Sequence, residues 1–356
     1  MKVSIGIGGA AIASGEAARR EAEFARDAEK LGVDVAWSAE GWGTDAVSPI
    51  AYLAAITRKI RLGTGIMQLT ARTPAMTAMT AMTLSGLTDG RFVLGLGASG
   101  PQVVEGLHNT SFRSPVKRMR ETLEIMKQAF RGDKLALQGA HYRLPLPGGE
   151  GKKMRLAFKP KSIPIYLATV APRGLELSGE VADGWLGTSF MPESSEAHFK
   201  FLRRGAIKRK AGLGAIDLCA GGSVCVSDDL ASVIRARKNQ MAYTLGAMGS
   251  PKTNFYFRAY CRAGFEDDCK EVQSLWLKGN REEASRRVPE EMILRTNFFG
   301  NEEMIRNRIK LYRDVGITTL RMDPLGRTYS ERLDTLEKAV SWLRDETLKN
   351  KESRET

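Results

Sequence analysis

The 356-residue sequence predicts an α/β fold, a TIM (β/α)8 barrel with a helical insertion after the seventh strand. Three observations lead there. Short apolar runs alternate with helical stretches along the chain, the pattern of parallel strands joined by crossover helices. Eight such units can be counted. The strands are apolar throughout, as expected where both faces of a sheet are covered, and this favours closure over an open doubly wound sheet.

Taken in order, Lys2–Ile7 reads as the first strand. The opening "MKVSIGIGGAAIASG" has the outline of a secretory leader, with Ala11-Ile12-Ala13 in the place of a cleavage site. Ser4, Gly6, Gly8 and Gly9 interrupt its apolar run and its charged region is a single Lys, so it is read as a core strand. "GEAARREAEFARDAEKLG" (15–32) is a helix with Ala18, Ala22, Ala25, Ala28 and Leu31 on one stripe and Gly32 as its C-terminal cap. "VDVAW" (33–37) is strand two. Ser48-Pro49 reads as an N-cap followed by proline at the first helical position, opening "IAYLAAITRK".

"IRLGTGI" (60–66) is strand three, and Thr73-Pro74 repeats the cap signal before "AMTAMTAMTLSGL". Met76, Met79 and Met82 recur there at helical spacing, which predicts a stripe packed on the barrel wall. Asp89-Gly90 turns the chain into strand four, "RFVLGLG", and "VKRMRETLEIMKQAFRG" (116–132) is an amphipathic helix. After a polar, Gly/Pro-rich excursion (139–162) come strand five "IPIYLA", a helix from "PRGLELSGEVA", strand six "DGWLGTSF" and a helix around 194–210. Strand seven lies within "LCAGGSVCVS". Residues 228–295 hold more helices than one crossover needs and are read as an insertion in a single-domain chain. "NEEMIRNRIKLYRDVG" is the last crossover helix and "ITTLRMD" strand eight; the charged tail "LKNKESRET" (348–356) is expected to fray.

Composition narrows the function classes. No 18-residue apolar run exists, so no membrane span is expected. Cys219, Cys225, Cys261 and Cys269 lack C-x-x-C spacing, and His108, His141 and His198 lie far apart. That argues against a zinc site or a disulfide framework and fits a cytoplasmic protein. The net charge of +13 concentrates in "RSPVKRMR", "GKKMRLAFKPK" and "KFLRRGAIKRK". Solvated faces, nucleic acid, or steering of a polyanionic small ligand would each account for it, and no nucleic-acid fold motif or interleaved aromatics favour the second.

The most informative stretch is "LGLGASGPQVVEG" (94–106). Gly95-x-Gly97-x-x-Gly100 matches the dinucleotide fingerprint, but that reading needs an acidic residue ending the next strand about 20 residues on. Glu121 stands near that offset inside a helix, and no strand occurs before Ile163. In a barrel the loop instead lies at the C-terminal end of strand four, where such folds build their sites. Its small residues allow backbone N–H groups to approach a phosphate, with Ser99 and Gln102 adding polar side chains. A plain strand-to-helix turn is the other reading.

The stretch "LGLGASGPQVVEGLH" resembles the strand-four loop of the luciferase-like flavin/deazaflavin barrel superfamily, closest to its coenzyme F-420-dependent branch, which includes methylenetetrahydromethanopterin reductase. The likeness continues in order through "VAWSAEGWGTDA" (35–46), "IRLGTGIMQLTARTPAMTAMTAMTL" (60–84), "LELSGEVADGWL" (175–186) and "MGSPKTNFY" (248–256).

The resemblance implies a non-proline cis peptide at Gly65-Ile66, forming a bulge behind the deazaflavin ring. It implies Gly97, Ala98, Ser99, Gly100 and Gln102 beside the phosphate-bearing chain, and Ala168, Thr169 and Val170 as a second cofactor-contacting segment. In "SAEGW" it places Ser38 near the cofactor and Glu40 where several relatives carry a histidine. Glu40 is therefore a candidate general acid or base, or a polar residue at the barrel mouth, and Trp42 a candidate for the substrate pocket.

The implied activity is hydride transfer between the deazaflavin ring carbon and a small organic substrate, with no metal and no covalent nucleophile. The basic surface suits a cofactor with a phosphodiester and an oligoglutamate tail. The alternatives are an FMN-dependent luciferase-like monooxygenase and, from another class, a non-catalytic cofactor- or nucleic-acid-binding protein. The insertion, especially "MGSPKTNFYFRAYCR", covers the mouth in one reading and forms an oligomer interface in the other. A homodimer is the family expectation.

Overall fold

The computed structural model describes residues 1–8, 12, 14–251 and 253–355. Ala11 and Ala13 of the leader-like outline, Lys252 of "MGSPKTNFY" and Thr356 of the tail lie outside the described residues, as do Gly9 and Ala10.

Eight strands form the barrel: β1 (Lys2–Ile7), β2 (Val35–Ser38), β3 (Arg61–Thr64), β4 (Phe92–Gly97), β5 (Ile165–Ala168), β6 (Gly184–Gly187), β7 (Asp217–Val226) and β8 (Thr319–Pro324). Each pairs in parallel with the next. The ring closes where β8 pairs with β1 through Lys2↔Thr319, Val3↔Leu320 and Ser4↔Arg321. Outside it lie α1 (Gly15–Leu31), α2 (Val47–Ala54), α3 (Pro74–Leu87), α4 (Pro101–Gly106), α5 (Pro115–Arg131), α6 (Pro172–Val181) and α7 (Glu196–Lys208). Between β7 and β8 come α8 (Leu230–Ala247), α9 (Phe255–Arg262), α10 (Glu266–Leu277), α11 (Arg281–Arg287), α12 (Glu290–Thr296) and α13 (Glu302–Asp314). The last helix, α14 (Tyr329–Glu355), follows β8. No helix among the described residues is long and apolar enough to cross a membrane.

Local signals account for most helix ends. Ser14 caps α1 by accepting the Ala17 N–H at 3.1 Å, and Gly32 closes it at φ 83°. Thr73 caps α3 with Pro74 at the first helical position. Helix α2 departs from its expected start. Asp45 Oδ1 accepts the N–H groups of Val47 and Ser48, both at 2.7 Å, so Ser48 lies inside the first turn and is no cap. Pro49 is tolerated there because first-turn N–H groups have no intrahelical partner.

The methionine stripe is also corrected. Met82 is buried, but Met76 is 48 % exposed. A three-residue spacing falls about 60° behind the helix each step, so the third methionine faces the barrel while the first faces water. Ala78, Ala81 and Leu84 supply the packed face instead. The tail expected to fray is helical to Glu355. Sequence reading missed several short strands: Phe298–Gly300, parallel to the outer end of β7; Met67–Gln68, parallel to the end of β4; and the antiparallel pair Leu137–Gln138 and Arg143–Leu144, in a stretch expected to hold no strand before Ile163.

Strand side chains alternate between two cores, as the period of two requires. Outward residues such as Ile5, Leu62, Leu94 and Leu320 pack under the helices. Inward residues Val35, Trp37, Val93, Tyr166, Leu186 and Cys219 form a small axial core. The N-terminal end of the axis is closed by Asp217, which accepts from Thr318 Oγ1 (2.5 Å), Thr319 Oγ1 (2.7 Å), the Tyr166 hydroxyl (2.7 Å) and Lys2 Nζ (3.0 Å). Burial opposes the Asp217 charge, but these donors outweigh it and hold the carboxyl below its usual range.

At the other end the axial side chains run out. Gly6, Gly63 and Gly95 face inward, and a Cβ on them would meet the Arg321 guanidinium, the Trp37 ring and, on Gly95, both Leu186 and the Thr64 carbonyl. Glycine at these positions lets Arg321, Trp37 and Leu186 lie directly against the strand backbone below the C-terminal mouth.

Candidate active site

The site is built where β3, β4 and β5 end. On β4, Gly95 is required by close approach, since a Cβ would lie 1.9 Å from the Thr64 carbonyl oxygen. Thr64 Oγ1 locks this crossing by donating to Gly95 O at 2.8 Å and accepting Gly95 N–H at 2.9 Å. The chain then leaves the sheet through Gly97–Gly100, with Ser99 in the left-handed region at φ 58°. A Cβ on Gly100 would meet nothing within 4 Å, so packing does not demand glycine there, and the space beside it is open.

On β3, Gly65-Ile66 is a cis peptide, as the resemblance implied. The Gly65 N–H donates to Ser38 O at 2.7 Å, and Ile66 turns inward onto the axial core. Glu40 braces the segment that follows. Its backbone N–H donates to Ile66 O at 2.9 Å, its Oε2 accepts the Gln68 N–H at 2.7 Å, and its Oε1 accepts Arg72 Nη1 at 2.5 Å. The Gln68 side-chain carbonyl in turn lies 2.8 Å from His108 Nε2.

On β5, Ala168 and Val170 line the hollow. Between them Thr169 is committed elsewhere, its hydroxyl 2.7 Å from Ser178 Oγ and its carbonyl accepting Trp185 Nε1 at 3.0 Å. The roof comes from the α8–α9 connection. Asn254 is almost wholly buried and fixes it, accepting the Phe257 N–H and donating to the Thr244 and Leu245 carbonyls, each at 2.9 Å. Arg262 of α9 ties the roof to the barrel by donating to Val170 O at 2.7 Å.

Two spaces result. A groove of about 530 Å³ runs between the β4 loop and the roof. A smaller cavity of about 210 Å³ lies on the barrel axis, and the two share Glu40, Ile66, Ala168, Val170 and Tyr256. The groove wall includes Gly97, Ala98, Ser99, Gly100 and Gln102, together with Ala168, Thr169 and Val170. Trp42 stands at its rim, 66 % exposed, and Gly65 lines the inner cavity.

Ser38 is the exception. It is fully buried and lines neither space. Alternation along β2 sends Trp37 inward, so the Ser38 hydroxyl points the other way, toward Gly8 and Pro49. The stretch 248–262, read from sequence as covering the mouth in one alternative, supplies Phe255 and Tyr256 to the groove wall; sequence reasoning missed Tyr243 there, the Gln68–His108 pair, and Arg321 on the cavity wall. The signal for Arg321 was present: a cation at an inward position of an otherwise apolar strand.

The luciferase-like monooxygenase family model matches residues 1–319. This chain belongs to the luciferase-like monooxygenase family. A Mycobacterium tuberculosis protein with the provisional name coenzyme F-420-dependent oxidoreductase is 35 % identical over 311 residues, covering 85 % of this chain and 90 % of that one. The 5,10-methylenetetrahydromethanopterin reductase of Archaeoglobus fulgidus is 28 % identical over 324 residues, covering 89 % and 93 %. Among solved structures, the coenzyme F-420-dependent tetrahydromethanopterin reductase of Methanopyrus kandleri superposes with a TM-score of 0.78 at 21 % identity, over 97 % of this chain and 99 % of that one. In this luciferase-like chain the groove and the cavity open at the C-terminal mouth of the barrel, between the β4 loop and the helices that follow β7. The family match ends at residue 319, at the first residue of β8 and just short of Arg321 and Asp323.

Proposed function

We propose that this chain is a coenzyme F-420-dependent oxidoreductase that moves a hydride between the deazaflavin ring carbon and a small organic substrate. The observation that carries the reading is the junction of two spaces, a long groove and a smaller axial cavity meeting at Ile66, Ala168 and Val170. A two-reactant transfer needs its partners in contact and water excluded. The names of the sequence relatives support the choice of cofactor.

The residues present fit such a group. The opening beside Gly100 and the groove-lining Ala98, Ser99 and Gln102 suit a phosphate-bearing chain. Bound there, the deazaflavin supplies a carbon that gives or takes hydride and reacts poorly with dioxygen. Ile66, Ala168 and Val170 give the junction apolar walls. Glu40 acts as a positioning residue that holds the Ile66–Gln68 segment. Tyr256 borders both spaces, and burial pushes its phenol pKa up, so it offers a protonated hydroxyl as a hydrogen-bond donor. Trp42 is assigned to the outer part of the substrate path. The four cysteines are unpaired thiols, which suits a reducing compartment, and we assign the enzyme to the cytosol as a homodimer.

The test is a pair of fluorescence titrations of the apo protein, with oxidised coenzyme F-420 and with FMN. Binding of F-420 with a Kd of about 1 μM or tighter, and at least about tenfold better than FMN, supports the reading. Preference for FMN points to a monooxygenase instead.

A further inference from the structure

We propose that the axial cavity is a carboxylate-recognition subsite and that Arg321 selects a small anionic substrate there. The inference rests on the function proposed above, because an acid seated in this cavity faces whatever fills the adjoining groove.

Arg321 projects inward from β8 and lines the cavity. Its side chain keeps 33 % of its surface accessible although it lies deep in the barrel, because the surface it shows is cavity wall. Nε donates to Asp323 Oδ2 at 2.9 Å, which fixes the plane of the guanidinium. Asp323 is itself held, since its Oδ1 accepts the Gly6 N–H at 2.6 Å. Among the described residues neither Nη atom of Arg321 donates to an acceptor. An arginine anchored through Nε presents its two remaining nitrogens as a fork, the geometry that matches a carboxylate.

The rest of the lining agrees. Trp37 borders the same cavity with its ring, while its indole N–H is sealed from it. Tyr256 adds a hydroxyl. The nearby acceptors are spent: Glu40 on Arg72 and Gln68, Asp323 on Arg321 and Gly6. Of the charged side chains on the cavity wall, Glu40 is neutralised by Arg72, which leaves the Arg321 fork as the charged donor not yet engaged. An enclosure with an unengaged guanidinium fork favours a carboxylate and disfavours its neutral analogue, because buried donors left unpaired are costly. At about 210 Å³ it is below the usual size of a drug-sized pocket, which limits the acid to a small one.

Isothermal titration of the apo protein at low salt tests this. The probes are the straight-chain monocarboxylates from propanoate to hexanoate, plus benzoate, each against its primary amide. The best acid is expected to bind the unmodified protein at least about tenfold tighter than its amide. Arg321→Met is expected to erase that difference, and Arg321→Lys to keep part of it. Gly6→Ala is a second probe that leaves the arginine in place: its Cβ would lie 2.8 Å from Nη2 and displace the fork, so acid affinity falls. F-420 titrations of the same proteins report that the groove is intact. The proposal is overturned if no acid is preferred over its amide, or if the preference survives in both Arg321→Met and Gly6→Ala. Acid preference without F-420 binding would sink the proposed function and leave the subsite standing; F-420 binding without acid preference would do the reverse.

Discussion

Glu40 grips the backbone of Gln68, accepting its N–H at 2.7 Å while donating its own N–H to Ile66 O at 2.9 Å. With Arg72 on the other carboxylate oxygen at 2.5 Å, this side chain is a clamp on the bulge that forms the junction of groove and cavity. Glu40→Gln retains an acceptor for Gln68 and is expected to lower turnover by less than about tenfold without altering the pH profile, whereas Glu40→Ala is expected to weaken F-420 binding by about tenfold or more. Steady-state kinetics and cofactor titration of both variants check this. Loss of turnover in Glu40→Gln with cofactor affinity intact would instead make Glu40 the proton donor.

Two glycines of the β4 region are expected to behave oppositely. Gly95→Ala drives a Cβ to 1.9 Å from the Thr64 carbonyl, backbone against backbone, so it is expected to yield little folded protein. Gly100→Leu fills open space and is expected to leave the thermal midpoint within about 3 °C while weakening F-420 binding at least about tenfold. Soluble yield, thermal unfolding and titration separate the two effects. A Gly100→Leu protein that binds cofactor normally would remove the loop from the site.

His198 carries a pH-dependent share of stability. It is fully buried among Trp185, Phe190 and Phe199, neither ring nitrogen has a partner among the described residues, and burial lowers its pKa to about 4. The unfolded chain takes the proton near its ordinary value of about 6.5, so between these values the unfolded state binds more protons and stability falls on acidification. The folded protein is expected to lose about 3 kcal/mol at most from this group as pH drops from about 7 to about 4. His198→Leu removes that part of the slope. Urea unfolding of both proteins across the range measures it, and parallel curves would refute the assignment.

At the opposite end of the barrel, Asp217 joins β7 to β1, β5 and the start of β8 through four side-chain hydrogen bonds. Asp217→Asn is expected to cost about 2–4 kcal/mol in unfolding free energy, because the buried Tyr166 and Thr319 hydroxyls lose a charged acceptor. F-420 affinity is expected to stay unchanged, since the network lies at the far end of the axis. A change in affinity without a change in stability would contradict this division of the barrel.

The fold was legible because its main determinants are local and repeated: apolar strands, turn signals, and helices closed by residues such as Ser14, Gly32 and Thr73. The groove's β3, β4 and β5 walls were legible through the resemblance of continuous segments. What escaped was set by geometry between elements. The inward or outward sense of Ser38 depends on strand alternation, which decides against it although it adjoins the site residues. Tyr243 reaches the groove from α8, far along the chain, and only the packing of the insertion over the mouth brings it there. The Asp45 cap shows the same limit at short range, since Ser48-Pro49 offered a stronger local pattern than the one the chain uses.

The most direct test of the central claim is fluorescence titration of coenzyme F-420 into the unmodified protein and into Ser99→Trp. Ser99 lines the groove between Gly97 and Gln102, so an indole there occupies the space assigned to the cofactor. Binding with a Kd of about 1 μM or tighter is expected in the unmodified protein, weakened at least about tenfold in Ser99→Trp with thermal stability preserved. Equal affinity in the two proteins, or no binding in either, would contradict it.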